Sequence, residues 1–86
     1  MKATERVLKA LANRRRLAIV ARLKRQPEAS VGELTAMLKV TFPTTSKHLA
    51  ILGAAEIVEY ERRSLQVYYR LADDMPAVAR ALLKHL

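Results

Sequence analysis

Apolar side chains recur along this chain first at helical spacing and later at strand spacing, and the change of period divides it. Val7, Leu8 and Leu11 share one side of a helix predicted from about Thr4 to Ala12. Asn13 then has the character of an N-cap, its side-chain oxygen able to accept from the first free amides of a second helix. That helix carries Leu17, Val20 and Ala21 at i, i+3 and i+4, with Ile19 and Leu23, and stops before Pro27. Ser30-Val31-Gly32-Glu33 has the S-x-x-E form of a capping box, and Leu34 and Leu38 continue the face begun by Val31 over about two turns. Thr41 can cap a fourth helix, with Pro43 in its first turn, where a missing amide costs no intrahelical bond. Thr45, Leu49 and Leu52 form its apolar line, which leaves Thr44, Lys47 and Ile51 elsewhere on the surface.

After Glu56 the period falls to two. Ile57–Glu61 and Gln66–Leu71 are rich in Val, Ile and Tyr, and read as a β-hairpin with Arg62, Arg63 and Ser64 at its tip. A last helix is expected from Asp73 or Asp74, either suited to the N-cap, with Pro76 in the first turn. From Ala77 to Leu86 it is apolar on more than one face, a surplus that calls for a second surface, most simply the same helix of another copy. The expected fold is mainly α with a small β-hairpin wing: one winged helix-turn-helix domain over residues 1–86, in the order α-α-α-α-β-β-α.

Composition sharpens this picture. The chain has 86 residues, a formal net charge of +8 and no cysteine. Disulfides, thiolate metal sites and thiol nucleophiles are excluded together. Met1–Gln26 holds nine basic residues against Glu5 alone, whereas Pro27–Leu86 is balanced. Such a concentration of charge suits a polyanion, nucleic acid first and an acidic membrane surface second. The longest uninterrupted apolar run, Leu49–Ala55, is far short of the roughly 20 residues of a membrane span, and no signal peptide is evident, so a cytoplasmic protein is expected. An enzyme is not: His48 and His85 fall on different helices, no serine lies in a nucleophile elbow, and two glycines cannot make a phosphate-cradling loop.

Three segments resemble the ArsR family of winged-helix repressors. Leu8-Lys9-Ala10-Leu11-Ala12-Asn13 with Arg16-Leu17 is similar to that family's opening LKALADPTRL. Thr41–Leu49, TFPTTSKHL, resembles its recognition-helix signature SQPAVSKHL, and Val67–Leu71 resembles the VYYRL that closes its wing. The resemblance implies a prokaryotic homodimer built by the first and last helices, here through Val7, Leu8, Leu11, Val78, Leu82 and Leu86. It implies a fourth helix placed in the major groove of double-stranded operator DNA, and repression relieved by a signal. Many relatives sense metals, but Glu33–Met37 has no cysteine, Asp73 is followed by Met75 instead of His, and nothing beyond His85 completes a zinc pattern. No metal, cofactor or membrane is therefore expected, and the effector stays undefined. Glu56 and Ser64 stand where the family usually has Gly, or Asn at the helix end.

For DNA contacts, Thr44 offers a hydroxyl and a methyl, and Lys47 a donor to guanine or phosphate. Ser46 and Thr41 are better placed for phosphate, at the helix end where free amides face outward. Thr45 lies on the apolar line and favours the core over a contact. His48 is open between an interhelical strut and a DNA contact, and Phe42 between a groove contact and a hydrophobic staple. Arg62 and Arg63 read as wing fingers, Arg14 and Arg15 as contacts to flanking phosphates, and Tyr60, Tyr68 and Tyr69 as sheet packing. The rival reading is a dimeric basic winged-helix interaction module that binds a protein or an anionic surface without reading sequence.

Overall fold

The computed structural model describes Met1–Leu86 as α1 (Lys2–Leu11), α2 (Arg14–Arg25), β1 (Ala29–Ser30), α3 (Val31–Leu38), α4 (Phe42–Ala54), β2 (Val58–Arg63), β3 (Gln66–Leu71) and α5 (Ala77–Leu83). The winged helix-turn-helix order is the expected one, with one addition: β1 pairs with β3 and makes the hairpin a three-stranded antiparallel sheet, β1-β3-β2. Ser30 ends β1 and caps α3 at once, so a single residue turns the chain from sheet into helix.

The capping signals act as chemistry requires. The Arg16 amide donates to Asn13 Oδ1 at 3.0 Å. Ser30 Oγ accepts from the Glu33 amide at 3.0 Å, while Glu33 Oε1 accepts from the Ser30 amide at 2.8 Å, which holds the Glu33 carboxyl below the usual range. Thr41 caps α4, and Pro43 sits in its first turn. The core gathers Val7 and Ala10 of α1, Ile19, Val20 and Leu23 of α2, Leu34 of α3, Leu49 and Leu52 of α4, Ile57, and Ala79 and Leu83 of α5. Each fully buried Leu or Ile contributes about 1.5–3 kcal/mol relative to exposure.

Four expectations are corrected. First, α1 begins two residues before Thr4 and ends at Leu11. Second, β2 extends through Arg62 and Arg63, which pair with Val67 and Gln66, so the tip is Ser64-Leu65 and the two arginines flank it on the strand. Third, neither Asp73 nor Asp74 caps the last helix. Pro76 is its N-cap, with no side-chain hydrogen bond, because the preceding Met75 is buried and the chain enters the core before it coils. Fourth, Val7 and Leu11 belong to the domain's own core and have no surface to offer a partner.

The end of α4 keeps its left-handed form although Gly is absent. Glu56 has φ of 62°, its amide donates to Gly53 O at 2.9 Å, and the Ile57 amide donates to Leu52 O at 3.0 Å. These two bonds are a Schellman closure, and Ile57 and Leu52 bury together beneath it. Ser64 at the wing tip also adopts a positive φ, 56°.

Candidate nucleic-acid interface

The placement of α4 starts from the α3–α4 turn. Lys39 closes α3 in the left-handed conformation, and Thr41 then opens α4. Thr45, one turn in, is fully buried. Its Oγ1 lies within hydrogen-bond distance of Thr35 Oγ1, at 2.9 Å, and of the Thr41 carbonyl, at 3.2 Å. Thr45 is therefore a bolt between the two helices, which corrects its candidacy as a DNA contact. The hydroxyl finds its partners inside the protein.

With Thr45, Leu49 and Leu52 facing inward, α4 turns Thr41, Phe42, Ser46 and Lys47 to solvent and leaves Thr44 half-buried. Thr41 and Thr44 are joined by their hydroxyls at 3.0 Å, and Thr41 Oγ1 also accepts from the Thr44 amide. Phe42 is 58% exposed. It lines a hollow with Val31, Leu65 and Val67, between the head of α4 and the wing. Such exposure is unlike a hydrophobic staple, which would require burial.

His48 is held by α2. Its Nδ1 lies 3.2 Å from Arg16 Nη1, while Arg16 Nε donates to Ala10 O at 2.6 Å and Nη2 to Lys9 O at 3.3 Å. One guanidinium thus closes the C-terminal carbonyls of α1 and touches α4, favourable for a cation at the negative end of a helix. The imidazole is pushed below its usual pKa by burial first, then by Arg16 and Arg15. By sequence Arg16 belongs to a basic run with the look of a solvated face. Its partners, 6 and 32 residues away, leave no local signal.

Part of the basic N-terminal charge is structural. Lys24 Nζ donates to Leu83 O at 2.8 Å and to Leu86 O at 3.1 Å, capping α5. Arg22 Nη1 reaches the carbonyls of Gln26 and Glu28. Arg14 and Arg15 are exposed, and neither has an ion-pair or hydrogen-bond partner through its side chain.

The wing arginines differ from each other. Arg62 is exposed and unpaired. Arg63 forks onto Glu28 at 2.8 and 2.7 Å, meets Glu61 at 3.1 Å and lies 4.7 Å over the Tyr68 ring. Arg63 is thus not a free wing finger, because Glu28, before β1, reaches across to it. Arg70 similarly pairs with Glu59 at 2.7 Å. Tyr60 and Tyr69 pack against each other with ring centroids 5.4 Å apart, as sheet residues.

Elsewhere in the fold α1 packs against α5. Leu8 is 50% exposed and Leu86 45%, with Val78 and Leu82 half-buried beside the core. No three His, Cys, Asp or Glu side chains converge as a metal site would require, and no helix is long and apolar enough to cross a membrane.

A family profile described as bacterial regulatory protein, arsR family, matches residues 13–60, from the cap of α2 into β2. The biofilm growth-associated repressor of Agrobacterium fabrum is 45% identical over 71 residues, which cover 83% of this chain and 60% of that protein. The HTH-type transcriptional repressor SmtB of Mycobacterium tuberculosis is 48% identical over 67 residues, 78% of this chain and 49% of that one. The chain thus spans about half to three fifths of the length of these curated relatives. Among solved structures, HlyU from Vibrio cholerae matches with a TM-score of 0.83 at 32% identity, covering 98% of this chain and 87% of that one. The transcriptional repressor BigR from Xylella fastidiosa matches with 0.77 at 36%, covering 95% and 80%.

Proposed function

The chain belongs to the arsR family of bacterial regulatory proteins, and from that premise we propose that it represses transcription by binding operator DNA as a homodimer. The observation that carries the reading is the outward face of α4. Thr41, Ser46 and Lys47 are exposed on a helix bolted from behind by Thr45, and Arg14 and Arg15 at the start of α2 are exposed and unpaired. A major groove about 12 Å wide admits such a helix, and its leading residues meet base edges. Lys47 donates to guanine O6 and N7, and the Thr44 methyl packs on thymine methyls. Ser46, Thr41 and the free amides of the first turn hold phosphate oxygens. Arg14 and Arg15 neutralise flanking phosphates, and Arg62 reaches the backbone or minor groove from the wing.

The dimer follows from the apolar surplus on α1 and α5. Leu8 and Leu86, with the half-buried Val78 and Leu82, form the surface that a second copy covers. Twofold pairing presents two α4 helices to half-sites about one helical turn, roughly 34 Å, apart. The names of the relatives, repressors among them, support the same assignment. The test is selection of bound duplexes from a random pool, followed by footprinting. An inverted repeat protected on one face of the duplex is the expected result, and recovery of unrelated sequences at moderate salt contradicts it.

A further inference from the structure

We infer that Arg16 fixes the tautomer of His48, so that the imidazole meets the DNA backbone as a neutral Nε2–H donor. This rests on the DNA-binding reading above and adds a positioning residue to it. A guanidinium carries donors only and stays charged, so whatever accepts from it must offer a lone pair. Arg16 Nη1 lies 3.2 Å from His48 Nδ1, which makes Nδ1 the acceptor and places the single ring proton on Nε2. Arg16 cannot swing away freely, because its Nε and Nη2 are committed to the carbonyls of Ala10 and Lys9. The nitrogen that faces His48 is thus anchored by the end of another helix.

Nε2 has no partner within the chain, yet no buried side-chain nitrogen or oxygen of the half-buried residues lacks one. The Nε2–H therefore reaches solvent. It does so from α4, one turn after Thr44 and next to Lys47. A half-buried side chain at the margin of the helix's outer face reaches a phosphate oxygen more readily than a base edge. The contact is sequence-independent and, because the ring is neutral, releases no counterion.

Three measurements test this. In the free protein, ring-nitrogen NMR at neutral pH should show His48 as a single Nε2–H form, and Arg16→Met should convert it to a tautomer mixture. An Nδ1–H form in the parent protein overturns the inference whether or not DNA is bound. On a selected duplex, His48→Gln, whose amide supplies an N–H near the same reach, should bind within a few-fold of the parent. His48→Leu should bind roughly tenfold more weakly, the worth of about one hydrogen bond, equally on all duplexes. The salt dependence of binding should be the same in both variants and in the parent. A slope reduced by about one in His48→Leu would mean a charged contact, and equal affinity of Leu and Gln variants would mean no contact; either overturns the inference. Should Arg16→Met fail to fold, the parent spectrum and the His48 pair still decide. A parent protein that binds all duplexes alike defeats the operator reading, while the nitrogen spectrum stands or falls independently.

Discussion

The hydroxyl of Thr35 lies 2.9 Å from that of Thr45 across the buried seam between α3 and α4. The pair ties α4 to α3 from within, because Thr45 is fully buried and Thr35 also lies 2.8 Å from the Val31 carbonyl. Thr45→Val keeps the shape, and the Thr41 carbonyl still accepts from the residue-45 amide. Its cost in denaturant unfolding should stay below about 1 kcal/mol. Thr45→Ala opens a void in the seam and should cost about 1–2 kcal/mol, with DNA affinity falling in parallel.

The fork between Arg63 and Glu28 predicts a division of labour in the wing. Arg62→Ala should weaken binding to every duplex, whereas Arg63→Ala should lower the melting temperature more than it lowers affinity. The guanidinium beside Glu28 holds that carboxyl below its ordinary value of 4.5. The folded state therefore binds fewer protons there, and the stabilisation is complete above pH 4.5 and disappears as pH falls through the lowered value. Melting curves of the parent and Arg63→Ala should converge as acid is added. A gap that stays constant with pH would contradict the pairing.

Most of the helical frame is legible from short-range chemistry. Asn13, the Ser30–Glu33 box and Thr41 each close amides within three residues, so their signatures are local and their helices begin where the caps say. What escapes is non-local. β1 has two residues and no periodicity, and exists only because Ala29 and Ser30 meet Tyr69 and Tyr68. Asp73 and Asp74 have the composition of a cap, yet burial of Met75 moves the helix start beyond them. At the interface, the exposed residues of α4 follow from its apolar line. The different fates of Arg62 and Arg63 depend on Glu28, a residue 35 positions away from the second of them.

Three residues, Lys39, Glu56 and Ser64, hold left-handed backbone at turns where Gly would be unstrained, and the last two yield a stability prediction. Glu56→Gly should stabilise the chain by about 1 kcal/mol in equilibrium unfolding, since φ of 62° strains a side-chain-bearing residue while the Schellman bonds are unaffected. Ser64→Gly at the wing tip should act in the same direction. Destabilisation by Glu56→Gly would show that its side chain contributes something beyond the backbone turn.

Arg14 and Arg15 carry charge that no partner within the chain uses. Replacing both with Gln should leave the fold intact and flatten the logarithmic salt dependence of DNA binding by about one unit for each phosphate no longer neutralised. An unchanged slope removes them from the interface.

The reading of sequence by α4 is decided at Lys47. On a duplex recovered by selection, competed against random DNA at moderate fixed salt, Lys47→Ala should reduce the preference for the selected sequence roughly tenfold or more, the worth of one hydrogen-bonded base edge. If instead affinity for selected and random duplexes falls by the same factor, with the preference ratio unchanged, α4 does not read bases through Lys47 and the central assignment is contradicted.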